Sequence, residues 1–278
     1  MREFLLTTVP SSAAPNRRLS TGRVEVITVR ALQDNYCYLV RRTGSLKALV
    51  IDTSDFEPIQ KQLQAEDLEL HLILNTHHHG DHVAANTQLV QHWKCPVYCS
   101  TVDVARVPLA KRGLEDGEVF EFDGIKIQTL SIPGHTRGQI AFHLPDENLV
   151  FVGDTLFAMG CGRLLEGMPE QMLSSLRRLM DLPRETRVFF GHEYTEKNGT
   201  FARDVEPDNK CVLDRMRAAR EALSVGGVSH APTLAEEMKA NPFLRLNSPS
   251  LRRQLNMVNE TELEVFTSLR RLRDVFQG

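Results

Sequence analysis

The feature that most constrains this 278-residue chain is the stretch ILNTHHHGDH at residues 73–82. It places four histidines and one aspartate within six residues, directly behind an apolar run that is long enough for a buried strand. Residues two apart lie on different faces of a helix, so His77, His79 and Asp81 converge only if the backbone is extended or looped. Gly80 gives the chain freedom to turn, and His82 falls where the next helix is expected to begin. The pattern predicts metal ligands gathered at the end of a strand.

Three later segments repeat this context, because each has a predicted strand that is followed by a glycine-containing turn and a potential ligand. These segments are IQTLSIPGHT with His135, LVFVGDT with Asp154 and RVFFGHEYT with His192. Imidazole nitrogens and carboxylate oxygens suit Zn, Fe or Mn. The first cluster alone holds too many ligands for one tetrahedral ion, so the pattern indicates two metals whose shells are completed by the distant residues. A histidine-rich loop that binds metal by accident is the competing interpretation, and the three matching strand ends argue against it.

Strand-like and helical patterns alternate up to about residue 195, and helical patterns alone follow. Strands are predicted at 24–29, 36–42, 47–53, 70–76, 119–122, 125–130, 138–144, 149–155 and 187–192, and helices near 56–66, 82–93 and 169–181. Asp123-Gly124 marks a hairpin. The last helix carries an apolar stripe at Val265, Leu269, Leu272 and Phe276. We therefore predict an α/β domain over residues 23–195 and a helical domain over residues 196–278.

Composition limits the partners and the cellular setting. The net charge of -3 gives no reason to expect a nucleic-acid partner, and the apolar runs are too short for a membrane span. Five cysteines without paired spacing favour a reduced, cytoplasmic setting. Residues 1–22 are rich in Ser, Thr, Ala and Pro and lack the apolar centre of a secretory signal. We expect a disordered leader there, and a transit peptide with a mitochondrial location is the alternative.

HHHGDH fits the HxHxDH motif of the metallo-β-lactamase superfamily, and His135, Asp154 and His192 fit the later ligands of that family in order. The resemblance implies an α/β fold, an αββα sandwich in which two mixed sheets lie between helices and carry the metals at one edge. It also assigns the ligands: His77, His79 and His135 to one ion, Asp81, His82 and His192 to the other, and Asp154 as a bridge.

A narrower resemblance runs from about residue 24 to the C-terminus. CGRLLEG at 161–167, GHEYT at 191–195, NPFLR at 241–245 and RRLRD at 270–274 are similar to glyoxalase II, the hydroxyacylglutathione hydrolase family. The positions that match the residues holding glutathione in that family are Arg163, Tyr194, Arg270 and Arg273. Guanidinium groups bind carboxylates well, and glutathione carries free carboxylates. Helical spacing alone favours a solvated arginine patch, and the resemblance reverses that interpretation.

Three positions depart from the pattern of some family members. Arg163 and Arg273 replace lysines, and Leu165 replaces a tyrosine, which removes one hydroxyl contact. These departures bear on affinity more than on the type of reaction.

The resemblance implies hydrolysis of a 2-hydroxyacyl glutathione thioester. S-D-lactoylglutathione would give D-lactate and glutathione, the second step of methylglyoxal detoxification. A hydroxide that bridges two divalent ions would be the nucleophile, with Zn expected first and Fe or Mn as alternatives. Asp81 would orient this hydroxide in addition to binding metal. We expect a monomer that acts on a small molecule and associates with neither nucleic acid nor membrane.

Three alternatives stay open at this point. Another superfamily hydrolase (a β-lactamase, a lactonase or an RNA-processing nuclease) would share the ligand motif, although CGRLLEG and the terminal arginines argue against it. A single-iron glutathione persulfide dioxygenase would hold fewer metals and would consume oxygen. A non-catalytic protein that binds glutathione conjugates or metal would fail a turnover assay.

Overall fold

The computed structural model describes residues 17–229 and 231–277, and two β-sheets form its centre. The first sheet has seven strands in chain order: β1 Arg18–Ser20, β2 Val24–Ala31, β3 Asn35–Arg42, β4 Lys47–Ile51, β5 Glu69–Leu74, β6 Val97–Ser100 and β7 Ala110–Leu114. The second sheet contains β8 Val119–Phe122, β9 Ile125–Ser131, β10 Ile140–Leu144, β11 Leu149–Gly153 and β14 Arg187–Phe190, and its spatial order is β14-β11-β10-β9-β8. Strands β12 Leu156–Phe157 and β13 Gly160–Cys161 form a separate hairpin.

The helices lie between and after these strands. They are α1 Phe56–Ala65, α2 Gly80–Val83, α3 Asn86–Trp93, α4 Pro169–Met180, α5 Thr195–Val205, α6 Lys210–Ser224, α7 Leu234–Ala240, α8 Pro249–Gln254 and α9 Glu262–Val275. Short 3-10 turns occur at Pro145–Glu147 and Pro242–Leu244. Within the described ranges, none of the helices combines the length and the apolar content that crossing a bilayer requires.

The layers follow from the alternation of side chains along each strand, since successive residues point to opposite faces of a sheet. Val40 and the neighbouring side chains on the same face of the first sheet join a core shared with Phe151 of the second sheet. Leu39 and the residues in phase with it pack with Leu63 of α1 and Leu89 of α3. Helices α4 and α9 contribute to the core on the other side. The predicted αββα sandwich is therefore confirmed.

The predicted strands are present, with ends that differ by at most two residues, but five short strands (β1, β6, β7, β12 and β13) were not anticipated. Strand β1 lies inside the segment 1–22 that was expected to be a disordered leader, and it pairs antiparallel with β2. That prediction is wrong for residues 18–20, because backbone pairing with β2 and the packing of Leu19 against the core order this segment. Residues 1–16 of the predicted leader lie outside the described residues. Strands β6 and β7 are short and extend the sheet in parallel beyond β5.

The chain turns where the sequence predicted it. Asp123 and Gly124 both have positive φ, 47° and 78°, as the mirror-image turn of a tight hairpin requires.

At the other end of the molecule, the two sheets are joined at one edge. The backbone N–H of Tyr36 donates to the Gly191 carbonyl at 2.8 Å, and Asn35 forms an isolated bridge with His192. This junction fixes the edge at which the potential metal ligands lie.

Much of the helical segment packs into the core of the second sheet, and only a small separate cluster (Met159, Ala202, Val212, Met216 and Ala240) lies among α5, α6 and α7. Phe201 of α5, Phe243 and Phe266 of α9 belong to the same apolar cluster as the second sheet. The division at residue 195/196 stays a prediction, and this shared core indicates that the helices fold onto the sheet.

The predicted stripe on the last helix is correct except at Leu272. Val265 and Leu269 are fully buried and Phe276 packs against the same core, but Leu272 is 42% exposed. Phe266, beside the stripe, is also fully buried, and Arg270 and Arg273 line a cavity.

Candidate metal centre and adjoining cavity

Four strand ends converge at the edge where the sheets join. The connection after β5 carries His77 and His79, the connection after β9 carries His135, the residue after β11 is Asp154, and His192 follows β14. Strands β4 and β5 run parallel, as do β11 and β14, so their carboxyl ends point the same way. The structure thus brings together all seven residues that the sequence predicted as ligands.

The first group of potential ligands consists of His77, His79 and His135, whose donor atoms lie within 4.8 Å of one another. The Nδ1 of His79 is 3.0 Å from the Nε2 of His77 and 3.0 Å from the Nε2 of His135. The Nδ1 of His135, the ring nitrogen that faces away from the group (its outer nitrogen), donates to the carbonyl oxygen of Arg163 at 2.9 Å. This contact places the proton outside and leaves the inner lone pair of His135 facing the group, as in a metal-binding histidine.

The second group consists of Asp81, His82 and His192. The Nε2 atoms of the two histidines face each other at 3.2 Å. Their outer nitrogens donate to carboxylates, His82 to Asp52 Oδ2 at 2.9 Å and His192 to Asp34 Oδ1 at 2.9 Å. Both inner lone pairs therefore point into the same small volume, where a cation would satisfy them together.

Asp154 lies between the two groups, and its surroundings show whether metal ions would fit the site. Its Oδ1 is buried, makes no hydrogen bond among the described residues, and lies 3.4 Å from the Nε2 of His82. Its Oδ2 lies 3.6 Å from the Nε2 of His135 and 3.3 Å from that of His192. A buried carboxylate oxygen without a hydrogen bond is costly unless it binds a cation. The donor set and this orphaned oxygen fit divalent metal ions.

Glycine at position 191 is needed for the close approach of Asp154. A Cβ atom there would lie 2.2 Å from Asp154 Oδ1 and 2.7 Å from Cε1 of His82. The role expected for Gly80 is not supported, since it begins α2 with no positive φ and a Cβ there would meet nothing within 4 Å. The backbone turns through ordinary helical geometry there, and the glycine that is needed sterically is Gly191.

The two groups differ electrostatically. Burial lowers the pKa of His77, and burial together with the neighbouring His135 lowers the pKa of His79 to about 4. Burial alone would lower the pKa of His192. The carboxylates of Asp154, Asp81 and Asp34 outweigh this effect and raise that pKa to about 11. The first group thus presents neutral imidazoles, and the second is surrounded by carboxylates that favour positive charge.

A cavity of about 530 Å³ opens beside Asp154 and His135 and extends to α9. All four residues that the resemblance assigned to substrate binding line it: Arg163, Tyr194, Arg270 and Arg273. The ring of Tyr194 stacks on that of His192 at a centroid distance of 4.9 Å. The cavity therefore connects the potential metal ligands to a cationic outer end.

The two arginines of α9 are not equivalent. Arg270 is only 4% exposed, and its Nη1 donates to the carbonyl oxygens of Cys161 at 2.6 Å and Gly162 at 3.4 Å. Arg273 is half buried and donates to Asn198 Oδ1 at 3.2 and 3.4 Å. Helical spacing predicted that both point the same way, and the resemblance assigned them to the substrate, but neither revealed that Arg270 holds the backbone of the Cys161–Gly162 loop.

Sequence reasoning missed several residues of the site. Asp52 comes directly after β4, so the strand-end signal that identified Asp154 also marks it. Asp34 lies in the tight connection between β2 and β3, where no pattern distinguished it from a turn residue. Lys197 lines the cavity from the first turn of α5, and nothing in its local sequence indicated this.

Comparisons with known proteins agree with this geometry. Residues 32–192 match the family described as the metallo-β-lactamase superfamily, and residues 193–276 match the hydroxyacylglutathione hydrolase C-terminus. The chain is 43% identical to the hydroxyacylglutathione hydrolase of Methylococcus capsulatus, covering 92% of this chain and 100% of the relative. It is 41% identical to the enzyme of the same name from Synechococcus sp. strain JA-2-3B'a(2-13), covering 91% and 100%.

Solved structures extend the comparison. A crystal structure of TTHA1623 in a di-iron-bound form is 30% identical, with a TM-score of 0.57 over 79% of this chain and 99% of that one. The crystal structure of ETHE1 from Myxococcus xanthus is 25% identical, with a TM-score of 0.62 over 89% and 96%.

Proposed function

Because the chain belongs to the hydroxyacylglutathione hydrolase family of the metallo-β-lactamase superfamily, we propose that it hydrolyses the thioester of S-(2-hydroxyacyl)glutathione. S-D-lactoylglutathione is the proposed substrate, and D-lactate and glutathione are the products. The observation that carries this proposal is the cavity beside Asp154, which joins two groups of potential metal ligands to a cluster of cationic side chains.

Two divalent ions are part of the proposal, with Zn expected first and Fe or Mn as alternatives. His77, His79 and His135 would hold one ion, Asp81, His82 and His192 the other, and Asp154 would contact both. Bound divalent ions supply polarisation of the thioester carbonyl and a lower pKa for water.

Asp81 is proposed as the catalytic carboxylate that orients the attacking water. Its Oδ2 accepts a hydrogen bond from the Asn35 side chain at 3.0 Å, which fixes the direction of the carboxylate. The hydrogen bond with His192 is the main cause that holds the pKa of Asp81 well below its usual range. Asp81 is therefore ionised at neutral pH, and its carboxylate can accept a hydrogen bond from a water molecule and so orient it.

The glutathione part of the substrate is proposed to occupy the outer end of the cavity. Arg163 is exposed at its rim, Arg273 and Lys197 line its wall, and together they face the charge that free carboxylates carry. The hydroxyl of Tyr194 is proposed to donate a hydrogen bond to the substrate. The leaving thiol has a pKa of roughly 8.5, so it departs as a thiolate without a strong general acid.

No nucleophile from the protein is needed. Cys161 lines the cavity, but burial raises the pKa of its thiol even though Arg270 lies beside it. A cysteine nucleophile also needs a base, and His135, which lines the same cavity, already shares its inner nitrogen with His79. Cys161 is therefore assigned to the wall of the cavity.

The cytoplasmic location and the monomeric state remain proposals. The five cysteines are all unpaired, which supports a reducing compartment. Light scattering of the purified protein tests the monomer. Cell fractionation tests the location against the mitochondrial alternative.

The proposal is tested by turnover of S-D-lactoylglutathione, with metal analysis and an oxygen electrode applied to the same sample. We expect loss of the thioester, release of glutathione, two ions per chain and no uptake of oxygen. A metal-loaded protein that leaves this thioester intact while it cleaves another substrate would show that the assignment is wrong. One ion per chain with uptake of oxygen would favour the dioxygenase alternative.

A further inference from the structure

A second charged cluster lies beside the metal centre and takes no part in either ligand group. It consists of His78, Asp103, Arg106 and Glu166, and we refer to it as the Arg106 cluster. The Asp103 side chain is completely buried, in the turn that follows β6. A buried carboxylate needs partners, so the contacts of this cluster indicate what it holds in place.

Arg106 is the centre of the cluster. Its Nη1 donates to Glu166 Oε1 at 2.6 Å and to His78 Nε2 at 3.2 Å, and its Nη2 is paired with Asp103. The other ring nitrogen of His78 lies 3.3 Å from Asp103 Oδ2. One guanidinium thus joins three partners from three different segments of the chain, which its planar fork of donors makes possible.

Two contacts of the cluster lead to ligands of the first group. His78 lies between His77 and His79 in the chain. Glu166 accepts the backbone N–H of Arg137 at 2.9 Å, and its own N–H donates to the His135 carbonyl at 3.2 Å. A Cβ at Gly138 would lie 2.3 Å from Asp103 Oδ1, so the chain after His135 packs directly on that carboxylate.

The histidines of the second ligand group are oriented from outside the Arg106 cluster, although Asp52 also holds Thr76, whose hydroxyl lies 3.0 Å from His77 Nδ1. His82 and His192 are oriented by Asp52 and Asp34, and neither of these carboxylates contacts the Arg106 cluster in the described residues. The side-chain contacts of the Arg106 cluster therefore lead to the segments of the first ligand group.

We propose that Arg106 is a positioning residue that fixes His77, His79 and His135 in the geometry that binds their ion. This inference rests on the proposed function for the presence of two ions, but it concerns metal affinity and not the substrate. Loss of a residue that orients metal ligands typically weakens metal binding by about 10- to 100-fold. Since the support is selective, only one of the two ions is expected to be affected.

The test is a titration of the chelator-stripped protein with Co²⁺, followed by its visible absorption. Arg106→Met should weaken one of two Co²⁺ equivalents by about 10- to 100-fold and leave the other within about twofold of the parent protein. Arg106→Lys should restore only part of the loss, because an ammonium group cannot pair with three partners in a fork. In turnover, kcat should fall and KM should stay near the parent value.

Arg217→Met is the matched control, because Arg217 also pairs with an aspartate three residues before it, Asp214, on the exposed surface of α6. It should leave both Co²⁺ affinities unchanged. Equal weakening of both equivalents in Arg106→Met, or no weakening, would overturn the inference. If Arg106→Met does not fold, Glu166→Gln removes the charge from the contact between Arg106 and the loop that holds His135, and the same loss of one Co²⁺ equivalent is expected in smaller degree. A parent protein that binds Co²⁺ in two steps but hydrolyses no thioester would overturn the proposed function and not this inference.

Discussion

At the scale of single residues, hydrogen bonds outside the metal centre decide which histidine nitrogens face inward. The outer nitrogen of His82 donates to a carboxylate and that of His135 to a backbone carbonyl, so the inner nitrogens keep their lone pairs. Asp154 then supplies negative charge between the two histidine groups. The chemistry of the site depends as much on these orienting partners as on the ligands themselves.

Asp154→Asn keeps the shape of the side chain and removes its charge. We expect kcat/KM to fall by more than roughly 100-fold and the metal content to drop, because the carboxylate serves both ligand groups. Turnover and metal analysis of the same preparation measure this. Asp146→Asn, in the exposed turn Pro145–Glu147, is the control and should retain both properties. Full metal content with full activity in Asp154→Asn would contradict the bridging assignment.

Arg273→Met should raise KM for S-D-lactoylglutathione by roughly tenfold with little change in kcat, since a lost charge-assisted hydrogen bond costs about 1.5–3 kcal/mol and Arg273 is partly solvated. The KM of Arg273→Lys should lie between that of the parent protein and that of Arg273→Met. Arg271→Met, on the exposed face of the same helix, is the matched control and should leave KM unchanged. Steady-state kinetics with unchanged KM in Arg273→Met would show that this side chain does not contact the substrate.

At the scale of elements, the sequence was most informative where a long apolar strand ends in a potential ligand. Strands β5, β11 and β14 have that form, so the positions of His77, Asp154 and His192 could be predicted before any contact was known. Strands β6 and β7 are short, and they were not predicted. Helical spacing shows which residues share a face, but not what the face packs against, so the burial of Arg270 and the exposure of Leu272 could not be inferred.

Two leucines of α9, one buried and one largely exposed, test how far its buried stripe extends. Leu269→Ala should lower the free energy of unfolding by about 2–5 kcal/mol, because Leu269 is fully buried in the shared core. Leu272→Ala should change it by less than about 0.5 kcal/mol, because that side chain is largely exposed. Denaturant unfolding of both variants measures the difference. Equal losses would restore the stripe that the sequence predicted.

At the scale of the whole molecule, the metal centre joins parts of the chain that are distant in sequence. Its potential ligands come from connections after strands of both sheets, and the helical segment closes the cavity beside them through α9. The fold thus concentrates four partly or fully buried carboxylates, those of Asp34, Asp52, Asp81 and Asp154, near one edge. A bound cation would also give a partner to the buried Asp154 Oδ1, which makes no hydrogen bond among the described residues. Metal binding and global stability are therefore expected to be coupled.

Chelation tests this coupling. A cation that binds the folded chain and not the unfolded chain stabilises it by about 2.7–4 kcal/mol at 100–1000 times its Kd. For a chain of this size that corresponds to a fall in Tm of roughly 5–15 °C when the metal is stripped. Calorimetry of loaded and stripped protein measures the shift, and addition of a divalent cation should reverse it. Asp154→Asn should show a smaller shift, because its folded state binds the ions weakly. Identical Tm values for loaded and stripped parent protein would show that the seven side chains hold their arrangement without any cation, and the centre would then be a hydrogen-bonded cluster.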